Sequence, residues 1–206
     1  MGVFIAPDML YLSGMTISAA TGGLRRRIPN LLTALRIAAI PPLIAAFYLP
    51  GEWAAWAALL LFALASVTDW FDGWLARRWQ ASSKLGQFMD PIADKLLVVA
   101  VILMLTADGR LDGIHVIPAI AILCREMFVS GLREFLAFRG AEMPVSRLAK
   151  WKTAVQMAAL TMLLIPVEGA EAPGLALFWV SAALALQTGW AYLTAAGPHF
   201  AEDDRP

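Results

Sequence analysis

An all-α integral membrane protein of six transmembrane helices is the fold class that this sequence predicts, and three observations predict it. Of its 206 residues 60% are hydrophobic and the mean hydropathy is +0.67, too apolar for an ordinary soluble domain. Six stretches are each long and apolar enough to cross a bilayer as a helix, which takes roughly 20 residues. The formal net charge of zero conceals a segregation, because the basic residues gather in alternate connections between those stretches.

The spans fall near residues 31–49, 54–78, 85–106, 114–138, 147–166 and 173–196. Pro41-Pro42 lies inside the first and should kink it, with neighbouring helices satisfying the freed carbonyls. Pro50-Gly51 turns the chain into the second span, and Pro91 should kink the third. Asp108-Gly109, Arg139-Gly140 and the Glu168–Gly174 stretch separate the remaining ones. Residues 1–27 form a leader, interfacial or disordered; its basic cluster Arg25–Arg27 follows rather than precedes the mildly apolar stretch, so it lacks a signal-peptide pattern. Residues 28–198 form one transmembrane domain, and 199–206 an acidic, solvated cytoplasmic tail. The single cysteine, Cys124, excludes an intramolecular disulfide and reads as a small packing residue. His115 and His199 are too few and too far apart for a metal site. Tryptophans such as Trp53, Trp56 and Trp151 suit interfacial belts. Nothing in the pattern points to nucleic acid.

Arg25, Arg26 and Arg27 precede the first span, Arg77, Arg78 and Lys84 join the second to the third, and Arg139, Arg147, Lys150 and Lys152 join the fourth to the fifth. The other connections hold Glu52, then Asp108, Arg110 and Asp112, then Glu168 and Glu171. The positive-inside rule puts both termini in the cytoplasm.

The same rule places an acidic motif at the cytoplasmic end of spans two and three: Asp69-x2-Asp72-Gly73-x2-Ala76-Arg77-x8-Gly86-x3-Asp90-x3-Asp94. A carboxylate at the centre of a membrane helix costs about 2.5–3.5 kcal/mol on insertion scales, so this quartet needs compensation. Positions three, four and seven apart share a helix face. Asp69, Asp72, Gly73 and Ala76 therefore line one face of the second span, with Arg77 just beyond, and Gly86, Asp90 and Asp94 line a matching face of the third. Antiparallel neighbours would bring these into a box of four carboxylates. Hard oxygen ligands in that number suit Mg2+ or Mn2+, two ions rather than one, and sparse His and Cys argue against zinc. Gly73, Ala76 and Gly86 leave room beside the acids, and Arg77 suits a phosphate. Together these features indicate phosphoryl-group chemistry, in which two metals clamp the attacking and leaving oxygens. Helix pairing, or a cation or proton path, is the competing account of intramembrane acids, but it leaves the small-residue notch and Arg77 without a role.

This spacing resembles the signature of the CDP-alcohol phosphotransferase family, D-x2-D-G-x2-A-R-x8-G-x3-D-x3-D, at every fixed position. The resemblance covers about residues 28–196. It implies the family's fold, six transmembrane helices with the site at the cytoplasmic membrane interface, and displacement of CMP from a CDP-linked lipid by an alcohol. Carried over by position, Asp69, Asp72 and Asp90 would be metal ligands, and Asp94 the last ligand and the general base for the attacking hydroxyl. Asn30, Thr33, Asp72, Gly73, Ala76, Arg77 and Gly86 would shape the CDP site, although Asn30 also reads as a helix cap. The family further implies a homodimer in a bacterial-type inner membrane.

The rest of the chain bears on the acceptor alcohol. Arg36 lies a turn or more inside the first span; the fourth span carries Arg125-Glu126 and Arg133-Glu134; and Lys150 and Lys152 open the fifth. Intramembrane arginines by default face a cavity or a partner. Internal ion pairs and simple positive-inside residues are the blander accounts of these cations. Arg36, Arg125, Arg133, Lys150 and Lys152 together suit an acceptor that itself carries a phosphate. The segments REMFVSGLRE and KWKT are similar to those of family members that transfer the phosphatidyl group of CDP-diacylglycerol to glycerol 3-phosphate. Inositol phosphate, serine or phosphatidylglycerol would be the alternative acceptors.

Overall fold

In lipid, a backbone must satisfy its own hydrogen bonds, and helices do so within one segment. The structure, a computed structural model, accordingly shows six α-helices and no strand among its described residues. It describes the backbone of residues 30–79, 84–141 and 146–201; the side chains at 69–70, 72–79, 84–85, 87–88 and 198–201 lie outside that description. The helices are α1 (Asn30–Phe47), α2 (Glu52–Trp79), α3 (Lys84–Ala107), α4 (Val116–Phe138, after a 3-10 turn at Gly113–His115), α5 (Arg147–Leu164) and α6 (Glu171–Ala201). Each stands where the sequence places a span. The helix of α6 runs three residues into the segment read as tail, and the leader at 1–27 lies outside the described residues.

Local chemistry sets the boundaries. Ser146 caps α5, its hydroxyl accepting from the Ala149 N–H at 3.1 Å. α3 and α4 both end in a Schellman motif built on a glycine of positive φ. At Gly140 (φ 73°) the Ala141 N–H reaches back to the Leu136 carbonyl at 2.9 Å; at Gly109 (φ 79°) the Arg110 N–H reaches Leu105 at 3.0 Å. The expected kinks do not interrupt their helices: α1 is helical through Pro41-Pro42 and α3 through Pro91.

One apolar core draws on all six helices, with Leu43, Phe62, Val101, Ile122, Leu160 and Phe178 each completely buried. α6 packs on both α4 and α5, and α5 reaches α2 and α3. Helix association in a bilayer rests on close packing more than on water exclusion. Gly174 shows it: a Cβ there would lie 3.2 Å from the Leu163 backbone nitrogen, so α6 approaches α5 closely at this point. A smaller cluster of Val129, Leu132, Leu136, Ala149, Tyr192 and Ala196 closes the opposite end.

The outer surface carries many large apolar side chains. Leu60, Leu64, Leu103, Ile117, Ile120 and Leu186 are each more than half exposed, an area no water-soluble monomer presents. α1, α4 with its leading turn, and most of α6 are each long and apolar enough to cross a membrane on their own. α3 and α5 carry Asp90, Asp94, Lys95 and Arg147, Lys150, Lys152 respectively, a cluster of charge toward one end of each helix. Cys124 faces outward from α4, so the packing role expected for it is corrected: it belongs to the exterior face. Trp53, Trp56 and Trp151 are exposed near helix ends, as interfacial tryptophans should be.

Candidate active site

The start of α1, the second half of α2, the start of α3, the second half of α4, the start of α5 and the last third of α6 meet at one end of the bundle. Two hydrogen-bonded rungs join α1 to α3 there. Thr33 donates its hydroxyl to Asp90 Oδ1, and one turn on, Arg36 Nη1 lies 2.5 Å from Asp94 Oδ1. The match is geometric, since residues three or four apart stack along a helix face. Arg36 also donates through Nε to the Ala65 carbonyl of α2 at 3.3 Å, so it fastens three helices. Its side chain is 1% exposed, whereas that of Asp94 is 47% exposed. The cation is sunk into the wall, and the carboxylate it holds stands in the opening.

Asp94 fronts a cavity of about 590 Å3. Among the described residues Arg36, Lys95, Arg125, Arg133 and Lys152 line it, with the carboxylates of Asp94 and Glu126. Glu126 organises the far wall: its Oε1 accepts from Lys152 Nζ and, at 3.1 Å, from Arg125 Nη1. Arg125 also sits 5.9 Å above the Tyr192 ring of α6, and Gly189 leaves room for its aliphatic stem. Lys95, next to Asp94, donates to Ser130 of α4. A buried ion pair needs such surrounding hydrogen bonds to offset desolvation of its charges.

Of the residues expected from sequence, the structure thus brings together Thr33 and Arg36 with Asp90 and Asp94, and sets Arg125, Arg133 and Lys152 around the same cavity. Gly86 is buried in the first turn of α3 and Asn30 opens α1. Lys150 is exposed on α5 and is not among the cavity-lining residues; two positions from Lys152 on a helix, it faces nearly the opposite way. The backbone of Asp69, Asp72, Gly73, Ala76 and Arg77 is helical within α2, but their side chains lie outside the described residues. Among the described residues no group of three potential ligands forms, since the quartet needs Asp69 and Asp72. The described half fits a divalent cation: two carboxylates one turn apart on α3, each ordered by a donor on α1, offer hard oxygen ligands.

Sequence reasoning missed Lys95, Ser130, Gln156 and Tyr192, and did not recognise Glu126 as the joint between two cations. A signal for Gln156 was present. Ala149, Lys152, Gln156, Ala159, Leu160 and Leu163 form the buried stripe of α5, and a glutamine one turn after a lysine on such a stripe is a polar pair aimed inward.

A bundle of apolar helices with ordered aspartates beside a cationic cavity has the make-up of a membrane enzyme of phosphoryl chemistry. Residues 26–189 match the CDP-alcohol phosphatidyltransferase family, and the chain belongs to it. It is similar to a protein of Cereibacter sphaeroides named CDP-diacylglycerol–glycerol-3-phosphate 3-phosphatidyltransferase, with 39% identity covering 85% of this chain and 98% of the relative. Relatives of the same name are 44% identical in Rickettsia felis, covering 85% of this chain and 98% of theirs, and 45% identical in Escherichia coli K12, covering 82% and 94%.

Proposed function

We infer that this chain is a multi-pass membrane transferase of phospholipid biosynthesis that moves the phosphatidyl group of CDP-diacylglycerol to sn-glycerol 3-phosphate. The products are phosphatidylglycerol phosphate and CMP. The observation that carries the acceptor is the cavity wall, where, among the described residues, Lys95, Arg125, Arg133 and Lys152 stand with Glu126 beside the Arg36–Asp94 pair. Such an excess suits a dianionic phosphate monoester and is wasted on serine. The names of the curated relatives support the same donor and acceptor.

In this reading Asp94 takes the proton of the attacking hydroxyl, Arg36 holding its carboxylate so that one oxygen faces the opening. The hydroxyl oxygen forms a bond to the lipid-side phosphorus, and the bond from that phosphorus to the CMP oxygen breaks. Asp69, Asp72, Asp90 and Asp94 would hold Mg2+ or Mn2+, two ions in all; bound there, they supply charge to the diphosphate and acidity to the acceptor hydroxyl. Asn30, Thr33, Asp72, Gly73, Ala76, Arg77 and Gly86 shape the CDP site. Arg125, Arg133 and Lys152 receive the acceptor phosphate, since charge-assisted hydrogen bonds to phosphate oxygens are the strong ones. Arg36 serves the base rather than the phosphate, because its guanidinium is spent on Asp94 and Ala65. Lys150 acts from the surface. The segregation of basic residues supports a cytoplasmic site and cytoplasmic termini in a bacterial inner membrane, the family resemblance supports a homodimer, and the transmembrane domain is taken as 28–198.

The test is CMP release by purified protein in detergent with CDP-diacylglycerol and Mg2+ or Mn2+. Glycerol 3-phosphate, inositol phosphate, serine and phosphatidylglycerol are supplied one at a time. Release with glycerol 3-phosphate alone is expected. Release with another acceptor would overturn the reading of α4 and α5, and release with none would favour the competing cation or proton path.

A further inference from the structure

Gln156 is 2% exposed and lines the cavity one turn beyond Lys152. Its Oε1 is one of two buried side-chain atoms without a partner among the described residues; the other, Arg125 Nε, belongs to the same wall. A buried polar atom left unpaired costs about 1–3 kcal/mol. Two of opposite kind beside one cavity point to a ligand that completes both.

The chemistry of the pair is specific. Arg125 Nε is a donor on a cation and calls for an anionic oxygen. The Gln156 amide is neutral and offers an acceptor at Oε1 together with donors at Nε2, the complement of an alcohol hydroxyl that both gives and takes a hydrogen bond. A fully ionised phosphate could meet only the Nε2 donors and has no proton to give Oε1, so a hydroxyl is the group that completes both ends of the amide. Glu126 is already engaged by Arg125 and Lys152, and Asp94 by Arg36.

We propose that Gln156 is the specificity-determining residue for the acceptor's polyol character: it binds the hydroxyl that does not react, at the carbon beside the phosphate-bearing one. This rests on the glycerol 3-phosphate reading above and adds to it the group that distinguishes a glycerol phosphate from a simple hydroxyalkyl phosphate. Buried amides that pair with one substrate hydroxyl reject the analogue lacking it, because the amide is then desolvated and unpaired.

The experiment compares kcat/KM for CMP release with sn-glycerol 3-phosphate and with 3-hydroxypropyl phosphate, which keeps the phosphate and the reacting hydroxyl but lacks the middle one. The wild-type protein should prefer glycerol 3-phosphate by about 100-fold. Gln156→Met, which keeps length and removes the polar atoms, should slow glycerol 3-phosphate by a similar factor and leave the deoxy substrate within about threefold, so that the preference collapses. Gln156→Asn keeps an amide withdrawn by one methylene and should lower the preference part of the way, which keeps the comparison available if the methionine variant folds poorly. A wild-type preference near unity overturns the proposal, as does a parallel loss with both substrates, the mark of a merely structural residue. Wild-type turnover with neither compound, but with another acceptor, overturns the glycerol 3-phosphate reading itself and is distinguishable from both.

Discussion

The two ends of the bundle use the same residue types to opposite effect. At the end away from the cavity, Arg110 Nε pairs with Asp108 Oδ2 at 2.9 Å, and Nη1 caps the Leu163 carbonyl at 2.8 Å. Both side chains of that pair are about a third exposed, and the arginine satisfies a helix C-terminus. Nearby, Trp179 donates to His115 Nδ1 at 3.1 Å, again at the surface. At the cavity end Arg36 and Lys152 are buried, and each meets a carboxylate. Buried pairs of this kind are poor value for stability, since apolar residues of similar volume often do as well or better. The surface pairs finish helices; the buried ones hold charge where an apolar core would be easier to build, which is where function is to be sought.

Perturbing each end should separate these roles. The largest effects belong to the cavity. Chelation with EDTA should abolish CMP release and Mg2+ or Mn2+ should restore it, while the helical circular dichroism signal stays constant. Asp94→Asn should cut turnover by about 100- to 10,000-fold, the range for a general base, and leave CDP-diacylglycerol binding measurable. Wild-type-like turnover in that variant would remove Asp94 from the proton transfer. Arg36→Met should reduce both kcat and the thermal midpoint, because it leaves Asp94 unsupported and the Ala65 carbonyl without that donor. Arg133→Gln, on the cavity wall, should raise KM for glycerol 3-phosphate by roughly 10- to 100-fold, equivalent to about 1.5–3 kcal/mol for a charged hydrogen bond, with kcat less affected. The smallest effect belongs to the other end: Arg110→Met should cost no more than about 1 kcal/mol and leave CMP release unchanged. Comparable loss of activity from Arg110→Met and Arg36→Met would erase the distinction between the ends.

The six helices were legible in the sequence because a bilayer imposes both length and composition on a spanning segment, and turn residues such as Gly109 and Gly140 marked the ends. The α3 half of the site was legible because Asp90 and Asp94 share a face by spacing alone. The partners of those acids were not. Arg36 and Asp94 are 58 positions apart, and no local pattern says which of several intramembrane cations an aspartate will meet. The fourth span's Arg-Glu pairs also admit a self-contained reading, yet Glu126 bridges to Lys152 across a helix interface. Lys150 and Lys152 carry the same charge, and only the register of the buried stripe on α5 separates the inward one from the outward one.

Gly189 lends the site an unexpected adjustability. A Cβ at this position of α6 would stand 3.2 Å from Arg125 Cγ, tight enough that the arginine stem must give by a few tenths of an ångström. One methyl group there would re-aim a cavity cation without adding or removing a charge. Acceptor preference can therefore drift through a residue outside the cavity lining, by small steps that leave the carboxylates and their geometry alone. In a lineage exposed to a different pool of phosphorylated alcohols, position 189 is a place where selection could act before it touched the reacting groups.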